Sequence, residues 1–197
     1  MKRPKVIVLG SLTVYFLTLG IALASNCANR QCQVLVLDAP FSETVYDPGR
    51  FRAHQTNADA ICDILRSTMG SKVQPKSLRT DPHWLDDRKM FREAVSPDPD
   101  LIVMHTSAFF SPLSEQQTVQ NLEESLRYLV GISRAKFLVY GTNFFLVGGL
   151  DRFKKALVNA APQVKGRISV VELSSRSFDA PVSKREISRA VTRILNL

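Results

Sequence analysis

Three histidines and the serines around them are the residues of this chain most able to do chemistry. His105 and Ser107 come directly after an unbroken apolar run, Leu101-Ile-Val-Met104, which is preceded by Asp100. A neutral imidazole can take the proton of a serine hydroxyl, and a serine activated in this way attacks an ester carbonyl. The residue types therefore fit acyl transfer, provided that the fold brings a serine and a histidine together.

Five apolar strands are predicted to position these groups, and each is followed by a helical pattern. Strict alternation of strand and helix, with right-handed crossovers, places a parallel sheet between two layers of helices. The sequence therefore predicts an α/β fold: a three-layer αβα sandwich with a five-stranded parallel sheet in the flavodoxin-like order 2-1-3-4-5. The predicted strands span residues 33–38, 73–78, 100–104, 136–140 and 168–173, and the predicted helices span 54–69, 82–95, 114–130, 150–160 and 183–195.

Local residues set several of these boundaries. Pro75 cannot donate a backbone hydrogen bond, so the second strand is predicted to lie at an edge of the sheet. Gly70 and Gly131 are predicted to end the first and third helices. Ser183 is predicted to cap the last helix. The arginines at 185, 189 and 193 repeat every four residues and predict a solvated face of that helix, with a membrane or polymer contact as the alternative.

The carboxyl ends of parallel strands meet at one edge of the sheet, which is where open α/β folds bind ligands. The loop over residues 39–52 leaves this edge and is long for a strand-to-helix connection, which favours a functional role. A metal site built from His54, His83 and His105 stays open as an alternative, but these histidines have no ligand spacing, and we predict no cofactor or metal. The candidate site residues at this edge are Asp38, Ser42, His54, His105, Ser107 and Asn143.

Residues 1–25 read as a leader that is separate from the domain at 33–197. Met1-Lys-Arg-Pro-Lys5 is positively charged, the next 19 residues carry no charge, and Ala22-Leu-Ala24 resembles a cleavage site. The apolar stretch is close to the length of a bilayer span, so the leader is either a cleaved signal peptide or a retained membrane anchor. Both alternatives predict export to a periplasmic or extracytoplasmic location, and the anchor also predicts membrane tethering through this segment.

Charge and cysteine content limit the function classes further. The net charge is +8, which fits an anionic lipid or polysaccharide, but no basic run is interleaved with aromatic residues, so we predict no nucleic-acid partner. Cys27 and Cys32 could close a small loop in an oxidising compartment, and Cys62 fits a buried position in the first helix. A glycine-rich phosphate loop and a Gly-x-Ser-x-Gly elbow are both missing from the sequence.

From Pro99 onward the order of elements resembles the SGNH (GDSL-like) hydrolases. Pro99-Asp-Leu-Ile-Val-Met104 is similar to a buried strand of that family, and Asp179 lies where the family has a final Asp-x-x-His before the last helix. The resemblance covers roughly residues 33–197 and implies an αβα hydrolase fold with Asp38 and Asp179 as catalytic matches. It implies ester hydrolysis or acyl transfer, here on a cell-envelope carbohydrate or lipid.

Three positions depart from that family's pattern. Ala39 stands where the family has its nucleophilic serine, Val182 where it has its histidine, and the segment from His105 to Ser107 where it has an oxyanion asparagine. A rebuilt site would use Ser42 or Ser107 as nucleophile, one of the three histidines as base, and Asn143 with backbone N–H groups as oxyanion donors.

Two further interpretations stay open beside an enzyme. One is a non-catalytic binding or scaffold domain of the cell envelope that has lost the catalytic residues of the SGNH hydrolases. The other is a resemblance to the cobalamin-binding α/β domains, which share the strand order, although their Asp-x-His-x-x-Gly loop is replaced here by Asp38-Ala-Pro40.

Overall fold

The structure of this chain is a computed structural model. It describes residue 27 and residues 30–37, 57–78, 92–105, 120, 124, 127–141, 154–155, 158–159, 166–174 and 180–197. The predicted leader lies outside these residues. Within them, no helix is both long enough and apolar enough to cross a membrane.

Five parallel strands form one sheet in the order β2-β1-β3-β4-β5, which confirms the predicted topology. Pro75 lies in β2, which pairs with β1 at the edge of the described sheet, and an edge strand is where proline is tolerated. The chain leaves β1 toward β2 and returns to β3 on the other side, and this reversal is the switch point of the fold. The strands are β1 (Cys32–Leu37), β2 (Val73–Leu78), β3 (Leu101–His105), β4 (Lys136–Gly141) and β5 (Ile168–Glu172).

Side chains that alternate along the strands form two cores, one on each face of the sheet. Val103 and Leu138 lie on the face covered by α1 (Asn57–Met69) and α2 (Pro181–Leu195). Met104 and Phe137 lie on the opposite face, which is packed by Val95, Leu129 and neighbouring residues. Because both faces are covered, the central strands are apolar throughout, and the three-layer αβα sandwich is confirmed.

The first helix behaves largely as its sequence predicts. Cys62 is buried in the core as expected. Gly70 follows the helix with a φ of +55°, a conformation that glycine adopts without a steric penalty. The described part of this helix begins at Asn57, and residues 54–56 of the predicted helix lie outside the described residues.

The last helix begins earlier than predicted. Ala180 occupies the N-cap position without a side-chain hydrogen bond, and Pro181 opens the first turn. Proline has a fixed φ suited to the first helical position and no N–H to leave unsatisfied there, so the helix starts two residues before Ser183. The prediction that Ser183 caps the helix was therefore wrong, since it lies inside the first turn and is buried. Gly131 likewise does not end its helix, because the helical residues continue to Ile132.

A buried carboxylate holds the amino edge of the sheet together. Asp100, 6% exposed, precedes β3, and its two oxygens accept hydrogen bonds of 2.7 and 2.6 Å from the Arg30 guanidinium. One of these oxygens also accepts a 2.8 Å bond from the backbone N–H of Gln33. The Asp100 backbone donates to the Gln33 carbonyl and accepts from the Lys136 N–H. This single residue therefore joins β1, β3 and β4 where they begin.

A disulfide fixes the segment that carries Arg30. Cys27 and Cys32 are bonded, and both are buried in the core. The loop between them contains Arg30, whose side chain is 52% exposed while its partner Asp100 is 5% exposed. The hydrogen bond and the charge of Asp100 raise the pKa of Arg30 above its usual value. Disulfide and ion pair together attach the start of the domain to the amino edge of the sheet.

Replacing Asp100 by alanine should destabilise the protein markedly. The change removes the charge-assisted bonds to Arg30 and leaves the Gln33 N–H without its side-chain acceptor. The expected loss of unfolding free energy is about 2–3 kcal/mol, because the remaining guanidinium is half-exposed and can be rehydrated. Urea unfolding followed by circular dichroism measures it.

The matched control is Asp63→Ala. Asp63 forms an ion pair with Arg66 on the surface of α1, with 60% and 56% of the two side chains exposed. An exposed pair of this kind contributes about 0–1 kcal/mol. Equal losses for Asp100→Ala and Asp63→Ala would contradict the role given to Asp100.

Candidate functional site

His105 is the predicted site residue that the structure describes. It is the last residue of β3, at the carboxyl edge of the sheet, and it pairs in register with Tyr140 of β4. The imidazole meets the Tyr140 ring edge to face, with ring centroids 5.1 Å apart and an interplanar angle of 69°. Tyr140 belongs to the core on the sheet face that α1 and α2 cover, so the His105 side chain lies on that same face.

The surroundings of this imidazole keep it neutral. Burial lowers the pKa of His105 to about 4, because the charged form would lose hydration that the strand end does not replace. At neutral pH the ring therefore has one nitrogen that can accept a hydrogen bond and one that can donate. The four residues before it, from Leu101 to Met104, are fully enclosed, and this rigid strand fixes the position of the ring.

Three hydrogen bonds from two serines join the first half of each helix to strand ends at the same edge. The Ser77 hydroxyl in β2 donates to the Asp59 carboxylate in α1 at 2.6 Å. Ser174, just after β5, donates from its backbone N–H and its hydroxyl to the Glu186 carboxylate in α2. These serines hold helices against the sheet. Their hydroxyl protons are already donated to carboxylates, so neither serine is a candidate nucleophile. The carboxyl edge is thus a braced surface on which His105 lies.

The other predicted site residues lie outside the described residues. This holds for Asp38, Ser42, His54, Ser107, Asn143 and Asp179. In the sequence, Asp38 directly follows the last residue of β1, and Ser107 follows His105 by two residues. Val182, at the position of the SGNH family's histidine, lies in the first turn of α2.

Tyr140 was not predicted from the sequence as a neighbour of the site. It reads as one more apolar position of the fourth strand, and only the register of β3 against β4 brings it next to His105. The strand order predicts that β3 and β4 are adjacent. The register could have been proposed by aligning the two apolar runs from Leu101 and Lys136, which would have paired the histidine with the tyrosine.

One group of possible metal ligands occurs among the described residues. The two sulfurs of Cys27 and Cys32 and a carboxylate oxygen of Asp100 lie within 4.8 Å of one another. The sulfurs are joined in a disulfide, and the carboxylate is engaged by Arg30, so this group is a structural cluster and not a metal site. It also lies at the amino edge, opposite His105.

Comparison with protein-family models finds no match to this chain, and comparison with curated proteins finds none either. Among solved structures, a mutant of the esterase AlinE4 is similar, with a TM-score of 0.44 and 16% sequence identity over 85% of this chain and 94% of that chain. The sheet order defines the class of this protein as an open α/β domain with its switch point between β1 and β3.

The depressed pKa of His105 predicts an acid-dependent loss of stability. Because the pKa is about 4 in the folded protein and about 6.5 in the unfolded chain, the unfolded state binds the proton first as pH falls. The unfolding free energy is therefore unaffected by His105 above about pH 6.5. It falls by up to about 3 kcal/mol as the pH drops from about 6.5 to about 4. Urea unfolding at several pH values measures this slope.

A His105→Gln variant should lose most of that slope between pH 6.5 and pH 4, since glutamine does not titrate. Tyr140→Phe keeps the ring contact and the imidazole, so it should retain the slope of the parent protein. A His105→Gln protein with the parent's pH dependence would show that another group is responsible.

Proposed function

We propose that this chain is an exported ester hydrolase or acyl transferase that acts on a cell-envelope carbohydrate or lipid. The observation that carries the proposal is the neutral imidazole of His105, held by a buried strand at the carboxyl edge, where open α/β folds bind ligands. In this role His105 is the general base. An unprotonated imidazole is available at neutral pH without a prior loss of a proton.

The proposed reaction uses one serine, and Ser107 and Ser42 are the candidates. The serine oxygen attacks the ester carbonyl carbon while its proton passes to the imidazole. The imidazolium then gives this proton to the departing alcohol, and an acyl-serine remains. Water or an acceptor hydroxyl, deprotonated by the same imidazole, releases the acyl group. Asn143 is the proposed side-chain donor to the oxyanion.

The low pKa of His105 limits how well it can act as a base. A base with a pKa of about 4 has a weaker drive to take a proton than one with a pKa near the working pH. A carboxylate that stabilises the imidazolium would offset this weakness. Asp38 and Asp179, the two family matches, are the proposed candidates for that carboxylate.

Export is supported by the chemistry of the cysteines. The Cys27–Cys32 disulfide favours an oxidising compartment, where such bonds persist, over the cytosol, where thiols are kept reduced. The charge pattern of residues 1–25 supports the same location. The basic net charge of the chain is suited to the anionic polymers and lipids of a cell envelope.

A second candidate is a non-catalytic binding domain that uses the same edge. It is favoured by Val182, which replaces the histidine of the SGNH family and cannot transfer a proton. In that case the neutral imidazole of His105 would donate and accept hydrogen bonds with a bound carbohydrate and transfer nothing.

Hydrolysis of p-nitrophenyl acetate by the purified protein distinguishes the two candidates. His105→Gln should lower kcat/KM by about 10²–10⁴-fold, the usual contribution of a general base. Ser174→Ala is the matched control, because this edge serine donates to Glu186 and has no proposed catalytic part. Thermal unfolding by circular dichroism checks that each variant is folded.

A fluorophosphonate probe identifies the nucleophile in the same preparation. The expected product is a single adduct on Ser107 or Ser42, found by peptide mass spectrometry and absent after that serine is replaced by alanine. Equal rates for the parent protein and His105→Gln would remove His105 from the mechanism. A parent protein without activity or adduct would favour the binding domain.

A further inference from the structure

The chain enters the described domain at the amino edge of the sheet, opposite His105. Cys27 is buried and bonded to Cys32, the first residue of β1. Arg30, between them, is held by the carboxylate of Asp100 at the start of β3. Two independent attachments therefore fix the position from which any preceding segment must leave. In the sequence, the apolar stretch ends at Ala24, three residues before Cys27.

Three exposed basic residues lie at the same amino edge. Lys72 immediately precedes β2, and Arg134 lies two residues before the start of β4. Arg193 lies in the last turn of α2, and the neighbouring Ile194 carbonyl accepts a 2.6 Å bond from the Lys136 ammonium at the start of β4. The last turn of α2 is therefore at the amino edge. All three of Lys72, Arg134 and Arg193 are exposed to solvent.

Two described carboxylates at this edge, Asp98 and Asp100, accept hydrogen bonds. Asp100 accepts from Arg30 and from the Gln33 backbone. Asp98 accepts from the Ser133 hydroxyl and the Arg134 backbone N–H. Arg30 offsets the charge of Asp100, but the donors to Asp98 are neutral, so the charge of Asp98 partly offsets that of Arg134. Lys72 and Arg193 therefore supply most of the exposed positive charge at this edge. Cations near the C-terminal ends of helices also offset the helix dipole, and Lys72, Arg134 and Arg193 each lie within three residues of such an end.

We propose that the amino edge is a membrane-facing surface that binds anionic phospholipid headgroups, so that the carboxyl edge with His105 points away from the bilayer. The inference rests on the proposed export of the chain with residues 1–25 retained as a membrane anchor, and it adds an orientation. Positive charge next to a membrane segment is attracted to anionic headgroups within about a Debye length, roughly 8–10 Å. A strand of five or six residues then keeps the candidate site about 17–20 Å further out.

Fluorescence quenching on the full chain in lipid vesicles tests the orientation. A fluorophore is attached at Ser71→Cys, on the amino edge, or at Glu172→Cys, the last residue of β5 on the carboxyl edge. Both positions are exposed, whereas Cys62 is buried and its thiol pKa is raised to about 11, so it stays unlabelled at neutral pH. The vesicles are phosphatidylcholine with or without phosphatidylglycerol, and the lipid headgroups carry a spin-label quencher.

The Ser71→Cys label should be quenched at least about threefold more than the Glu172→Cys label, given a separation of about 17–20 Å between the two edges. Phosphatidylglycerol should strengthen the quenching at the amino edge only. Equal quenching of the two labels, or stronger quenching at Glu172→Cys, would overturn the proposal.

Charge reversal at two positions of the same helix tests the lipid contact itself. Arg193→Glu at the amino edge should remove at least about half of the increase caused by phosphatidylglycerol, while Arg185→Glu, two turns away in the first half of α2, should not. The same effect for both variants, or for neither, would overturn the headgroup contact.

A carbonate wash of the vesicles separates this inference from the proposed function. If the wash extracts the full chain, the anchor is disproved and the orientation falls with it. If the chain stays in the membrane while the labels contradict the expected order, only the orientation is disproved. The esterase assay does not depend on either result.

Discussion

The Asp100 carboxylate is the interaction on which the arrangement of the sheet depends most. A carboxylate that is only 6% exposed is costly to bury unless its oxygens are satisfied, and here Arg30 and the Gln33 N–H satisfy them. Both partners lie at the start of β1, 70 and 67 residues from Asp100 in sequence, so the burial cost is offset only when β1 and β3 begin side by side. This requirement ties the disulfide loop to the central strand and leaves the opposite edge of the sheet for chemistry.

The two edges of the sheet have different physical characters. The amino edge is cross-linked by charges, by the disulfide and by Arg167, which donates to the Ser133 and Ala135 carbonyls and covers the Phe137 ring. Burial lowers the pKa of Arg167, which nonetheless stays charged at any physiological pH. At the carboxyl edge, Ser77 is bonded to Asp59 and Ser174 to Glu186, and His105 presents a neutral ring. A functional site at the carboxyl edge requires a rigid support, and the cross-linked amino edge supplies it.

Most of the sheet was predictable from sequence because its signals are local. The apolar run before His105 and the lysine-led run at residues 136–140 each specify a buried strand, and Pro75 specifies an edge. The prediction that Ser183 caps the last helix was wrong because serine at this position competes with Pro181 as a helix start, and the helix begins at the proline. The contacts of His105 with Tyr140 and of Arg30 with Asp100 were not predicted, since they depend on strand register and on a separation of 70 residues.

The pairing of β1 with β3 has a consequence for how the chain folds. On one side of β1, Val34 pairs with Leu101 of β3, which lies 67 residues later in the sequence. On the other side, β1 pairs with β2, which comes earlier in the sequence than β3. During synthesis from the N-terminus, the apolar strand β1 would therefore keep one hydrogen-bonding edge open until β3 has been made. Such an edge is a template for pairing with other chains. A folding helper that covers β1 during this interval would protect the protein from aggregation.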